Sequence, residues 1–129
     1  MKTSILCLIL SLFAHSALAC GGGEMTDEQI VATPEFAKIQ VDLEKLSGHK
    51  LEATKIVRGG SDIYNIEGEE TGVRAMCAAH FTFIYFRIAG SGTGPAECYM
   101  GVDIVSHNRI DTKQLGGKCR NGQHLSYRD

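Results

Sequence analysis

The chain closes on a block framed by two cysteines, Cys98-Tyr-Met-Gly-Val-Asp-Ile-Val-Ser-His-Asn-Arg-Ile-Asp-Thr-Lys-Gln-Leu-Gly-Gly-Lys-Cys119. An apolar alternating stretch, a polar turn and a second short strand stand between the two thiols. In an oxidising compartment this pattern is most simply read as one bridge, Cys98 to Cys119, closing a hairpin. Closing that loop contributes about 3 kcal/mol, largely by restricting the unfolded chain.

The N-terminus supplies the compartment. One positive charge at Lys2 precedes the apolar run Ile5 to Ala14, and Ala17-Leu18-Ala19 gives the small-x-small pattern cut by signal peptidase. Residues 1–19 are therefore expected to be a signal peptide, and residues 20–129 one secreted, extracellular domain. The run is much shorter than the roughly 20 apolar residues of a membrane span, so no membrane anchor is expected. Ala-Leu-Ala-Cys20-Gly-Gly-Gly also resembles a bacterial lipoprotein signal, which would place a lipid on Cys20. Removing Lys2 from the 13 basic residues leaves 12 against 15 acidic, a formal charge of −3. That balance speaks against nucleic acid or an anionic membrane as the main partner. Cys7 leaves with the signal. The four remaining cysteines are compatible with a second bridge, Cys20 to Cys77, the alternative being a buried apolar thiol at Cys77.

Residues 20–32 are glycine-rich and then acidic, and read as a mobile arm. Thr33-Pro34-Glu35 is a helix start, since threonine caps, proline suits the first helical position and the carboxylate meets the positive end of the dipole. Phe36, Ile39, Leu43 and Leu46 then share one stripe, and Gly48 is placed to end the helix. Leu51, Ile56, Val57, Ile63, Tyr64 and Ile66 predict strand around a bulge or turn at Gly59-Gly60. After a turn at 67–72, residues 73–88 alternate as a strand, with Val73 to Tyr85 as the plainly apolar row to bury against the helix. The loop 89–96 is glycine-rich, but a strand pattern follows it, so it is no phosphate cradle. Cys98, Met100, Val102 and Ile104 form the inward row of the next strand, and 113–119 makes the last. The order is arm, helix, then four antiparallel strands.

The glycine run Gly21-Gly22-Gly23, Phe36-Ala37 early in the helix, an apolar strand pair and the Cys98 to Cys119 hairpin together resemble the cystatin family. Its members are reversible protein inhibitors of papain-like, cathepsin-type cysteine proteases. The resemblance covers most of the chain after residue 19 and implies an α+β fold, one long helix packed on a curved antiparallel sheet of four to five strands. It also implies a wedge of three segments: an N-terminal glycine, a Gln-x-Val-x-Gly hairpin and a Pro-Trp hairpin. Lys55-Ile56-Val57-Arg58-Gly59 is the literal match to the first hairpin, with lysine in place of glutamine. Periodicity offers a competing register in which the hairpin is 67–72 and the 73–88 strand stays unbroken. Ser106-His107 stand where Pro-Trp is expected. The wedge residues implied are therefore Gly21, Gly22, Gly23, Lys55, Ile56, Val57, Arg58, Gly59, Ser106 and His107.

These departures imply weak or narrowly selective inhibition, the alternative being a non-inhibitory binding or host-interaction module on the same fold. Catalysis is not expected. Cys77 and His80 lie three apart on one predicted strand and face opposite sides. No His or Cys cluster has zinc-ligand spacing, and Glu69 and Glu70 are adjacent turn carboxylates. No cofactor or metal is expected, and a monomer is.

Overall fold

The computed structural model describes residues 24–58 and 81–128. It is α+β. Two helices, α1 (Asp27–Val31) and α2 (Pro34–Ser47), precede the strands β1 (Leu51–Arg58), β2 (Phe81–Ile88), β3 (Cys98–Ser106), β4 (Arg109–Asp111), β5 (Gly117–Cys119) and β6 (His124–Leu125). The described strands form one antiparallel sheet in the order β1-β2-β3-β5-β6, with β4 paired to β3 beyond the reach of β5.

Helix α2 begins and ends where its punctuation places it. The Thr33 hydroxyl accepts from the Phe36 N–H at 3.2 Å and donates to the Ile30 carbonyl at 2.8 Å, so one side chain caps α2 and joins it to α1. Gly48 closes α2 with φ 76°, its N–H donating to the Glu44 carbonyl. The left-handed conformation costs an L-residue roughly 1–2 kcal/mol, which is why glycine stands there. Phe36, Ile39 and Leu43 are buried, and Leu46 packs partly against the same core. Two polar side chains of α2 hold the start of β1: Gln40 donates to the Leu51 carbonyl at 2.7 Å, and the Glu44 carboxylate accepts the Leu51 N–H at 3.1 Å. That N–H bond leads the causes holding the Glu44 carboxyl below the usual range.

The core lies between α2 and one face of the sheet. Ile84 and Phe86 of β2 meet Cys98, Met100, Val102 and Ile104 of β3 there, and the Phe36 and Phe86 rings lie 5.7 Å apart. The β3 row agrees with the sequence reading. In β2 the face is the opposite of the one expected: Phe83 and Tyr85 are buried on the side away from α2. Both rows of β2 are apolar between 83 and 86, so alternation carries no phase there. The Cys98–Cys119 disulfide is present, its two residues directly opposed in the β3–β5 ladder.

Two further expectations change. The arm forecast over 20–32 is, from Glu24 on, anchored structure. Thr26 and Gln29 form a reciprocal capping box on α1, while Met25 and Ile30 are buried in the core. A five-residue helix is far too short to persist alone, so those two apolar anchors are what hold it. The single last strand forecast over 113–119 is instead divided. Chain pairs with β3 at 109–111, leaves the ladder where the Asp111 carboxylate accepts the Lys113 N–H at 2.9 Å, and rejoins at Gly117. Six described strands thus stand where four to five were forecast. Cys20, Cys77, His80, Glu69, Glu70, the 67–72 turn and the 73–80 part of the long strand lie outside the described residues.

Candidate functional site

Antiparallel pairing to the common neighbour β2 makes β1 and β3 run in the same direction, so their C-terminal ends share one end of the sheet. Arg58 pairs with Thr82, and Thr82 with Val102. β3 continues four residues past that level to Ser106, roughly 13 Å at the usual strand rise. It then turns through His107-Asn108 into β4, with the Ser106 hydroxyl donating to the Asn108 Oδ1 at 2.8 Å. His107 is exposed at the tip.

The N-terminal segment reaches the same end through Arg58. Its Nη2 donates to the Met25 carbonyl at 2.6 Å and its Nη1 lies 2.7 Å from the Asp27 carboxylate. Both members of the ion pair are half exposed, so its energy is small, within about 1 kcal/mol. Its effect is positional: the residues that follow Gly23 are pinned beside the end of β1.

The four described residues of the Lys55–Gly59 motif form the interior and end of a strand and not a turn. Ile56 pairs with Ile84 and packs on the helix-side core, and Arg58 reaches α1. Lys55 and Val57 point to the other face, where the Lys55 ammonium stands 5.2 Å from the centre of the Tyr85 ring. Gly21, Gly22, Gly23 and Gly59 lie outside the described residues, as does the competing 67–72 hairpin. Of the sequence-implied wedge, therefore, the Arg58 end of β1 and the Ser106-His107 turn lie at one end of the sheet. Asp27 and Met25, which complete that end, were missed. The signal for them was present in Thr26-Asp-Glu-Gln29, a capping-box spacing that fixes a helix start close to the glycine run.

Among the described residues no three His, Cys, Asp or Glu side chains are grouped to hold a metal ion. Comparison with protein-family models, with curated proteins and with solved structures returns no match for the chain.

Proposed function

We propose that the protein is a secreted, reversible inhibitor of papain-like cysteine proteases that acts by filling the enzyme's cleft. The observation carrying this reading is the meeting, at one end of the sheet, of the segment that follows Gly23, the end of β1 and the β3–β4 turn. Such a rim brings three chain segments to one end of the sheet. The hairpin behind the turn is bridged by Cys98–Cys119, so little of it needs ordering on binding. A glycine run ahead of α1 allows close backbone approach along substrate subsites without a side chain to cleave beside.

Affinity is set by what occupies the tips. Hot spots in interfaces are most often Trp, Tyr or Arg, and the turn carries Ser106-His107. Losing one large anchor costs about 2 kcal/mol, roughly thirty-fold in affinity, so weak or narrowly selective inhibition is the outcome. Arg58 contributes by tethering α1 and not as a free contact. The test is truncation through Gly23. Inhibition should weaken about tenfold or more, and equal inhibition by both forms rules out a role for the arm.

The second reading is a non-inhibitory binding module on the same architecture. The specific observation favouring it is the polar turn, where an exposed imidazole stands without a large apolar neighbour in the motif. It predicts no protease inhibition by either form.

A further inference from the structure

The face of the sheet turned away from α2 carries a continuous cross-strand row. Lys55 pairs with Tyr85, Tyr85 with Tyr99, Tyr99 with Lys118, and Lys118 with His124, so successive strands bring these five residues into one line. The Tyr85 and Tyr99 rings stack at 5.9 Å, and Phe83 adds a third ring 6.4 Å from Tyr99. Tyr85 is buried, whereas Tyr99 is only partly covered. Partial burial raises the Tyr99 hydroxyl above its ordinary value, so the ring stays neutral.

At the Tyr99 end the row opens into a shallow cleft of about 360 Å³. Tyr99 and Leu115 give it apolar walls, the Gly116-Gly117 backbone lies along it, and His124 and Arg128 stand on its rim. Lys118 does not line the cleft but is exposed beside it, between Tyr99 and His124 in the ladder. Arg128 is held in position by two backbone carbonyls, donating from Nε to Lys113 at 3.3 Å and from Nη2 to Gln114 at 2.7 Å. Both acceptors are neutral carbonyls. Among the described residues no carboxylate pairs with Arg128, Lys118 or His124.

The charge here runs against that of the whole chain. From Cys98 onward the five residues Arg109, Lys113, Lys118, Arg120 and Arg128 outnumber the three aspartates Asp103, Asp111 and Asp129, in a protein of formal charge −2. Lys118 and Arg128 beside a partly bare aromatic ring suit an anionic group carried on a ring whose C–H face can lie against Tyr99. The volume suits a small ligand, being near the lower end of the usual range for such pockets, roughly 300–1,000 Å³. It is too small for a nucleic-acid track, which engages on the order of 6–10 phosphates.

We infer that this cleft binds a sulfate- or carboxylate-bearing saccharide. One sugar ring lies against Tyr99 and Leu115, and its anionic substituent is held between Lys118, His124 and the positioned Arg128. The site lies on the sheet face and involves neither the β3–β4 turn nor the residues beside Gly23, so it is independent of protease inhibition.

The test is a titration of the full chain at low salt with three probes: a fully sulfated uronic disaccharide, a neutral disaccharide of the same size bearing neither sulfate nor carboxylate, and inorganic sulfate, each followed by amide shifts of residues 99, 115–118 and 124–128. The sulfated disaccharide should bind about tenfold or more tighter than either control. The double variant Lys118→Gln/His124→Gln changes two exposed positions and should lose about tenfold in affinity. Lys45→Gln, the same charge change on α2, should stay within about twofold. His124→Gln alone, at the two-residue edge strand, should lose about threefold and serves if the double variant does not fold. Equal shifts with inorganic sulfate overturn the saccharide, equal binding of the neutral disaccharide overturns the anion, and wild-type affinity in the double variant overturns the site.

Discussion

Asp42, Lys38 and Tyr127 form a small polar cluster that fastens the C-terminal segment to α2. The Lys38 ammonium lies 2.7 Å from the Asp42 carboxylate and 4.3 Å from the centre of the Tyr127 ring, and the Tyr127 hydroxyl donates to the same carboxylate at 2.6 Å. The Lys38 hydrogen bond, followed by that from Tyr127, holds the Asp42 carboxyl below its ordinary value. A depressed carboxyl stabilises the fold above its unfolded value, about 4, and that contribution disappears as pH falls through the lower folded value. Asp42→Asn should therefore be less stable than wild type at pH 7 by about 1 kcal/mol. The difference should shrink as pH falls below about 4 in denaturant melts. A gap that stays constant through that fall would mean the carboxylate is not coupled to folding. Burial and the Asp42 hydrogen bond push the Tyr127 hydroxyl well up, the opposite case: its contribution is complete below the unfolded value of about 10 and declines at higher pH as the unfolded chain ionises. Little of this cluster was legible beforehand. Lys38 and Asp42 are spaced as helical neighbours, but Tyr127 joins them from 85 residues away, through a fold no local pattern encodes.

The β3–β5 ladder is the element on which the hairpin depends. Gly117 pairs with Met100, and a Cβ on it would fall 2.5 Å from the Tyr99 carbonyl oxygen and 2.9 Å from the Met100 sulfur. Backbone cannot yield there as a flexible side-chain tip can. Gly117→Ala should therefore push β5 off β3 and destabilise the protein by about 1–3 kcal/mol. Gly48→Ala meets no neighbouring atom and should cost only its unfavourable φ, about 1–2 kcal/mol. Chemical denaturation of the two variants checks the claim, and loss of amide protection along 98–102 should occur only in the first. Equal protection in both would show that β5 tolerates the methyl group. Cysteine spacing and the alternation of Cys98, Met100, Val102 and Ile104 made this hairpin readable, because both signals are local and periodic. The split between β4 and β5 was not readable. It turns on one Asp111 side chain capturing the Lys113 N–H, and on glycines whose importance lies in the close approach of another strand.

For the whole molecule, the boundaries of α2, the Cys98–Cys119 pairing and the α+β layering followed from punctuation and apolar period. The face presented by β2 did not, since Phe83 to Phe86 are apolar on both sides. Nor did the anchoring of residues 24–32, where composition spoke for an arm while Met25, Ile30 and a capping box hold the chain down. The proposed saccharide cleft draws on three strands, β3, β5 and β6, and the C-terminal segment, so its residues become neighbours only once the sheet has formed. The candidate rim stands between these cases. Ser106-His107 and the Lys55–Arg58 strand were visible as deviations from a family pattern, and their common location comes from the β1, β2 and β3 register. Papain assayed on a fluorogenic substrate against rising concentrations of the oxidised protein tests that rim most directly. Reversible inhibition in the nanomolar to micromolar range is the result predicted for a cleft-filling inhibitor with a weakened anchor. No inhibition up to tens of micromolar would contradict it and leave a binding module on the same sheet.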